Sequence, residues 1–560
     1  MRERFSLGVD FGTSSVRALI VNTSSGEEVG TAAAPYASGK DGILLDPSRP
    51  DLARQHPRDY LTGLEACIRG AVEDASKRAG SPFDTSLVIG MGVDTTGSTP
   101  IPVDADGIPL AFDARFEDRL AAMAWLWKDH TGHAEAARIT ASAPPRYLAK
   151  CGGKYSSEWF WAKVWHCLFE DSEVFEAAHT WVEHADWIPA LLTGTDHPSV
   201  LKRGICAAGH KALFHEDWGG YPESDWLRSL DPALVRVRAS LPDTAHSVGD
   251  AAGELTEVWA ARLGLPKGIK VAVGAFDAHL GGIGSGIQPG TLVKIIGTST
   301  CDIMTAPLSA NLPDIPGLCG IVPESVLPGS YGLEAGQSGV GDIFNWFVDV
   351  VKPGGEDHES LTEAAIGEKP GQSGLLALDW HNGNRTVLVD QRLTGLILGL
   401  TTHSNPAQIY RALIEATAFG ARTIIERFEA YGVEVNRVVN CGGISVKNRL
   451  LLQIYADVLD RPMYVSRSTE TCALGSAIAG SVVAGAGVGG HATFSDAVKA
   501  MTAVRDEVFH PIPEHVTVYN QLFALYTSIH DAFGVANKTS DLGHVMKRLL
   551  DIRDEVNRSV

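Results

Sequence analysis

Two apolar strands joined by a glycine elbow constrain this chain more than any other feature. Residues 7–21, LGVDFGTSSVRALIV, run as an apolar strand, break at Asp10-Phe11-Gly12-Thr13-Ser14, and resume as a second apolar strand. That shape suits an anion. Gly12 has no Cβ to block close approach, and the turn leaves backbone N–H groups and the Thr13, Ser14 and Ser15 hydroxyls free to face a phosphate. Asp10, at the strand end, suits a hydrated Mg²⁺, which prefers one carboxylate together with waters and phosphate oxygens. In isolation the same stretch also reads as an ordinary hairpin turn.

It is not isolated. Residues 290–304, GTLVKIIGTSTCDIM, repeat the pattern with Gly297-Thr298-Ser299-Thr300 at the break. Two such hairpins nearly half a chain apart imply two related halves facing each other across a cleft, each lending one loop to the same nucleotide. The pair resembles the actin, Hsp70 and sugar kinase ATPase superfamily, an α/β fold of two ribonuclease H-like domains with a central cleft. Within it the chain is most similar to the FGGY carbohydrate kinases. The expected boundary falls near residue 285, after GGIGSGIQPG, which gives an N-terminal domain 1–285 and a C-terminal domain 286–560.

Composition narrows the classes. A chain of 560 residues has interior enough for two cores, and 47 basic against 67 acidic side chains leave a net charge of −20, unfavourable for nucleic acid or an anionic membrane. A protein this acidic needs loop N–H groups, a few cations and a metal to hold ATP. No apolar leader precedes the first strand and no run of 18 apolar residues occurs, so a cytoplasmic protein is expected. The eight cysteines are scattered without a C-x-x-C pair and read as free buried thiols. Cys301, Cys441 and Cys472 lie beside phosphate or nucleotide segments, from which thiol-reagent sensitivity is expected. The oligomeric state is open, a homo-oligomer included.

The spacing of Tyr60, Leu64, Cys67, Ile68 and Val72 predicts an amphipathic helix over 58–79, ending near Gly80. LVIGMGVDTTGSTPIPVD reads as a strand stopping at Asp94-Thr95-Thr96-Gly97. RVVNCGGISVKN reads as strand then turn, and NRLLLQIYADVLD as a helix with Leu451, Ile454, Tyr455 and Val458 inward. Residues 155–165, YSSEWFWAKVW, resemble the first FGGY signature, with Lys163 and Trp165 at its spacing. Gly395 to Leu400, Gln408-Ile409 and Ala412 to Glu415 fit the second, although Leu413, Thr417, Ala421 and Ile424 also form a packing stripe. Gly485 to Gly490 satisfies G-x-G-x-x-G, but it follows a helix rather than a strand and reads as a flexible loop.

The resemblance implies roles for named residues. Gly442 and Gly443 would lie at the adenosine end of ATP, with Lys447 and Asn448 near the purine and ribose; a plain strand-to-helix turn would also favour Gly-Gly. Ala473 to Ala477 resembles a small-residue helix packed behind the same pocket. Asp277, just upstream of the second hairpin, would accept the proton of the sugar hydroxyl, although Asp at that place also suits a helix N-cap. Arg17 would stabilise charge on the moving phosphoryl or simply be an exposed strand residue.

Four segments, GVDTTGSTP, WKDHT, AGHK and GLEAGQS, lie far apart in sequence and carry hydrogen-bonding and stacking groups suited to a sugar. With GAFD, their order resembles the bacterial ribulokinases among the FGGY kinases. This likeness implies that Thr96, Trp127, Lys211 and Glu334 contact L-ribulose while Asp277 faces its terminal hydroxyl; Trp127 also reads as filling a hydrophobic pocket. The implied reaction is ATP- and Mg²⁺-dependent phosphorylation of L-ribulose at O5 in arabinose catabolism. A sibling kinase acting on xylulose, glycerol or another polyol is the alternative, and an actin-like or Hsp70-like nucleotide switch the reading from another class.

Overall fold

The structure is a computed structural model and describes residues 3–539 and 541–558. Strand β1 (Phe5–Phe11) is buried along its whole length and alternates in character: Phe5, Leu7, Val9 and Phe11 belong to one apolar core, while Ser6, Gly8 and Asp10 point to the other face. It pairs antiparallel with β2 (Ser15–Asn22), which pairs antiparallel with β3 (Glu28–Pro35). On its other edge it lies parallel to β4 (Val88–Thr95), and β5 (Lys270–Ala272) follows. The large-residue face is covered by helix α1 (Pro57–Ala79), stopped by Gly80 in the left-handed conformation where the sequence places its end.

The second sheet repeats the order. Strands β6 (Thr291–Ile296), β7 (Thr300–Pro307) and β8 (Ser330–Ala335) form the antiparallel part, and β9 (Arg437–Cys441) and β10 (Met463–Val465) add on parallel at the far edge of β6. The spatial orders β3-β2-β1-β4-β5 and β8-β7-β6-β9-β10 are therefore the same topology written twice. The stripe Leu413, Thr417, Ala421 and Ile424 lies buried on a helix, which the structure bounds at Pro406–Ala430 and starts with a capping box at Asn405 and Gln408. Glu415 is taken inside by Arg411, Nε 2.8 Å away, and by the Tyr519 hydroxyl.

The halves are joined by a helix that crosses between them. Helix α6 (Thr471–Ala484), late in the chain, lies on the small-residue face of β1 and β4, where Ser6, Gly8 and Asp10 are register partners of Gly90, Gly92 and Asp94. A Cβ on Gly8 would stand 1.7 Å from the Ala473 carbonyl oxygen, and one on Gly92 2.1 Å from that of Ser476, so close packing demands glycine there. The Ala473 to Ala477 segment thus packs as expected. The segment 443–447, read as a turn, is instead a short helix before the longer helix α5 (Arg449–Leu459). Residues 486–488 form a short helical turn after α6 rather than an unstructured loop. Among the described residues no helix is long and apolar enough to cross a membrane. All eight cysteines are free.

Candidate active site

Both elbows form as hairpin turns, closed by Gly12 N–H donating to the Ser15 carbonyl and Gly297 N–H to that of Ser299. Their peptide orientation is set from behind. The Thr13 carbonyl accepts from Gln55 Nε2 and the Gly297 and Thr298 carbonyls from the N–H groups of Gly341 and Val340. A trans peptide points its N–H opposite to its carbonyl, so the amides of Ser14, Thr298 and Ser299 face away from the fold. A Cβ on Gly12 or Gly297 would meet nothing closer than 3.4 Å, leaving both tips open to an incoming phosphate.

Below the second elbow a buried ion pair braces the two strands. Lys294 Nζ lies 2.9 Å from both Asp302 carboxylate oxygens and 3.0 Å from Gln337 Oε1. Below the first, Asp10 and Asp94 stand side by side; Ser476 of α6 donates to Asp94 at 2.6 Å, and Arg17 lies 3.4 Å from Asp10. Burial raises the Asp10 carboxyl above its usual range, only partly offset by Arg17 and Asp94. Arg17 is 45% exposed, is held between Asp10 and Glu470, and does not line the cleft cavity.

That cavity, about 740 Å³, is walled by both halves. Thr13 and Trp127 of the first half and Thr298 and Ser299 of the second border it, and Thr96, Lys211, Asp277 and Glu334 line it as well. Trp127 does more than fill space, since its Nε1 donates to Thr13 Oγ1 at 3.0 Å and ties the sugar-side wall to the first elbow. Thr96 is buried, its hydroxyl 3.2 Å from that of Thr99. Lys211, on helix α2 (Ile205–Ala212), places Nζ 2.9 and 3.0 Å from the two Glu334 oxygens on β8. Burial alone would raise Glu334, but the adjoining Lys211 ammonium, with Arg385, outweighs it and holds the carboxyl below the usual range.

Asp277 is the first residue of helix α3 (Asp277–Gly284), and Phe276 is the N-cap. One oxygen, Oδ1, accepts the Ala278 N–H at 2.7 Å, so part of its capacity serves the helix end. Burial, with the nearby Asp10 charge, pushes its pKa up to about 7 against the Ala278 hydrogen bond and Lys211. A carboxylate poised there suits a general base at neutral pH.

The purine-side candidates lie apart from this cavity. Gly442 has φ 91° and packs against the Ile296 carbonyl, whereas Gly443 has open space around it. Lys447 is exposed, and Asn448 caps α5 by accepting the Leu451 N–H at 2.9 Å. Lys163 and Trp165 of the first signature are buried; Lys163 Nζ donates to the carbonyls of Ser98 and Leu126, both at 2.8 Å, so its work is to hold the sugar-side wall. The expected thiol reactivity does not fit the site: burial pushes Cys301 up to about 11 and raises Cys441 and Cys472.

Sequence reasoning missed Lys154, His279, Arg385 and Arg392, all of which line the cavity. Arg385 donates to the Thr300 carbonyl and so sits against the second elbow. Its segment, His381 to Arg392, forms no helix or strand, and its turn residues around the short apolar run Val387 to Val389 gave no signal of a site.

The chain matches the N-terminal domain of the FGGY family of carbohydrate kinases over residues 5–284 and the C-terminal domain of that family over 292–484. It belongs to the FGGY carbohydrate kinases. Like them it is a sugar phosphotransferase, with ATP the phosphoryl donor its family implies. Curated relatives within the family include a ribulokinase of Halalkalibacterium halodurans, 40% identical with 100% of this chain and 99% of that protein aligned. A ribulokinase of Mycolicibacterium smegmatis is 41% identical over 99% and 97% of the two chains. Among solved structures, the xylulose kinase of Rhodospirillum rubrum superposes with a TM-score of 0.75 at 24% identity, covering 95% of this FGGY kinase and all of that chain. The Plasmodium falciparum glycerol kinase with ADP gives 0.75 at 15%, covering 94% and 98%. These two likenesses are of fold.

Proposed function

We propose that this FGGY kinase transfers the γ-phosphoryl group of ATP to O5 of L-ribulose, acting in the cytoplasm in arabinose catabolism. The observation that carries the reading is the cavity that Asp277 lines together with Thr13 of the first elbow, Thr298 and Ser299 of the second and the Lys211–Glu334 pair. Support for ribulose as acceptor comes from relatives named ribulokinase that align along essentially the whole chain. We place the hinge between the two lobes near residue 285.

In this reading Lys211, Glu334 and Thr96 hydrogen-bond sugar hydroxyls, Trp127 packs on the carbon face, and the terminal hydroxyl is turned to Asp277. The Asp277 carboxylate takes the hydroxyl proton as O5 attacks phosphorus; the bond from phosphorus to the β–γ bridging oxygen breaks, and ADP leaves with that electron pair. The outward amides of Ser14, Thr298 and Ser299, with the Thr13 hydroxyl, hold phosphate oxygens. Gly443, Lys447 and the helix start beside them are the adenosine side. Asp10 fits Mg²⁺: it is a buried carboxylate with elevated proton affinity at the rim of an open anion cradle. When bound, the ion would neutralise phosphate charge. Arg17, paired with Asp10, orients that carboxylate. Closure of the lobes excludes water, which would otherwise accept the phosphoryl group.

Coupled ADP release across a panel of ketopentoses, pentitols and glycerol tests the proposal. L-Ribulose should give the highest kcat/KM; a higher value for xylulose or glycerol would reassign the acceptor.

A further inference from the structure

Behind the Lys211–Glu334 pair lies a cluster that phosphoryl transfer does not use. His210, next to Lys211 on α2, and His279, on α3, come from the first half of the chain, while Glu334 comes from the second; all three are buried. His210 Nδ1 lies 3.6 Å and His279 Nε2 3.8 Å from the same Glu334 oxygen, Oε2.

Hydrogen bonding orients His210. Ser325 Oγ lies 3.1 Å from the Val322 carbonyl and 2.9 Å from His210 Nε2, so it can accept the ring's Nε2–H while donating to the carbonyl. In that tautomer Nδ1 presents a lone pair to the interior, without a hydrogen-bond partner. His279 has no partner on either ring nitrogen, and its side chain is 2% exposed. Three groups able to offer an electron pair thus converge, their ligating atoms all within 4.8 Å of one another, an arrangement whose complement is a cation.

We propose that His210, His279 and Glu334 form a binding site for a zinc-class divalent cation that bridges the two lobes. Two imidazoles and a carboxylate are a donor set for Zn²⁺ and its neighbours rather than Mg²⁺, which demands oxygen ligands. Bonds of about 2.1 Å to a tetrahedral ion set donor atoms about 3.4 Å apart, so the two nitrogen-to-oxygen separations need to close by only a few tenths of an ångström. The Nε2–H of His210 on Ser325 is the orienting outer contact that ligating histidines carry. The fourth position opens toward the cavity that His279 and Glu334 line. Lys211 is the ion's built-in competitor, because its ammonium now neutralises the same carboxylate. Resting on the assignment of Glu334 to the sugar, the ion and the ketopentose exclude each other, and the metal-bound enzyme is held shut and inactive.

Co²⁺ titration of the full-length enzyme without nucleotide tests this, since a tetrahedral nitrogen and oxygen site gives cobalt an intense visible band that exposed octahedral sites lack. The wild type should develop the band to one ion per chain and lose it to Zn²⁺. His210→Asn and His279→Asn should each weaken the apparent affinity by at least about tenfold. Lys211→Met should strengthen it by about tenfold, a gain that misfolding cannot produce. No band in either the wild type or Lys211→Met, or a band unchanged in both histidine variants, would overturn the site. A band that forms as expected but is indifferent to L-ribulose would support the metal site and remove Glu334 from the sugar.

Discussion

Lys211 Nζ and the Glu334 carboxylate meet at 2.9 Å across the cleft, 123 residues apart in sequence and on opposite halves of the chain. Neither charge is stable alone at that depth, so the contact forms only when the lobes come together. In the proposed reading it is both a recognition element and a latch.

Removing one partner should therefore expose both roles. Glu334→Gln keeps the shape but leaves a buried ammonium uncompensated, which costs about 3–5 kcal/mol when nothing relaxes. A lowered Tm is expected, and the loss of a charge-assisted hydrogen bond, about 1.5–3 kcal/mol, should raise KM for the sugar roughly 10- to 100-fold while KM for ATP changes little. Steady-state kinetics with each substrate varied would show it; a rise confined to ATP would take Glu334 out of the sugar site.

Acid should silence the enzyme through Asp277. Its pKa is raised to about 7, so the proton-accepting form is present above that pH and is lost as pH falls through it. The kcat/KM for sugar should fall about tenfold per pH unit below that point. Asp277→Asn should bind sugar normally, lose roughly two to four orders of magnitude in kcat, and show no such limb. A pH profile of the variant parallel to that of the wild type would argue against Asp277 as base.

Trp127 and Thr13 couple the sugar wall to the phosphate elbow. Trp127→Phe removes the Nε1 hydrogen bond, a net loss of about 0.5–1.5 kcal/mol, and should weaken both substrates roughly three- to tenfold. Thr13→Val added to it should cost less than it does alone. Strict additivity in this double-mutant cycle would show that the two act independently.

Gly92→Ala should loosen the joint between the halves without touching the cavity. The added Cβ would stand 2.1 Å from the Ser476 carbonyl oxygen of α6, backbone that cannot step aside. Forced separation of this kind costs about 1–3 kcal/mol, a Tm decrease of roughly 2–5 °C by scanning calorimetry. An unchanged Tm would mean that α6 slides freely along the sheet.

Alkylating reagents should act slowly at neutral pH. With Cys301 pushed up to about 11 and Cys472 raised by burial and the surrounding carboxylates, little thiolate is present to react. Peptide mass spectrometry after iodoacetamide treatment at pH 7 should find these two residues unmodified and activity retained.

The sequence by itself determined both elbows, the strands that flank them, the helices around 58–79 and 406–430, and the fold class. These are local: glycine at a strand break, period-two and period-3.6 apolar spacing, and caps such as Gly80 and Asn405 act within a few residues and need no partner from elsewhere. Asp277, Lys211, Glu334 and Trp127 were legible as site candidates only through the order of the segments that carry them.

Tertiary structure alone decided what those residues meet. Ser6, Gly8 and Asp10 look like a weak stretch of strand until α6, arriving from 460 residues later, turns their small face into a helix seat. Arg385 comes from an aperiodic segment and His279 from an ordinary helix, so neither carries a local mark; each acquires its surroundings from chain distant in sequence, Arg385 from Thr300 and Cys301 and His279 from Glu334. Burial and neighbouring charge then set the proton affinities of Asp277 and Glu334 in opposite directions, although both are carboxylates. Dielectric environment and cross-lobe contacts are properties of the assembled interior, and a linear pattern does not encode them in any single stretch.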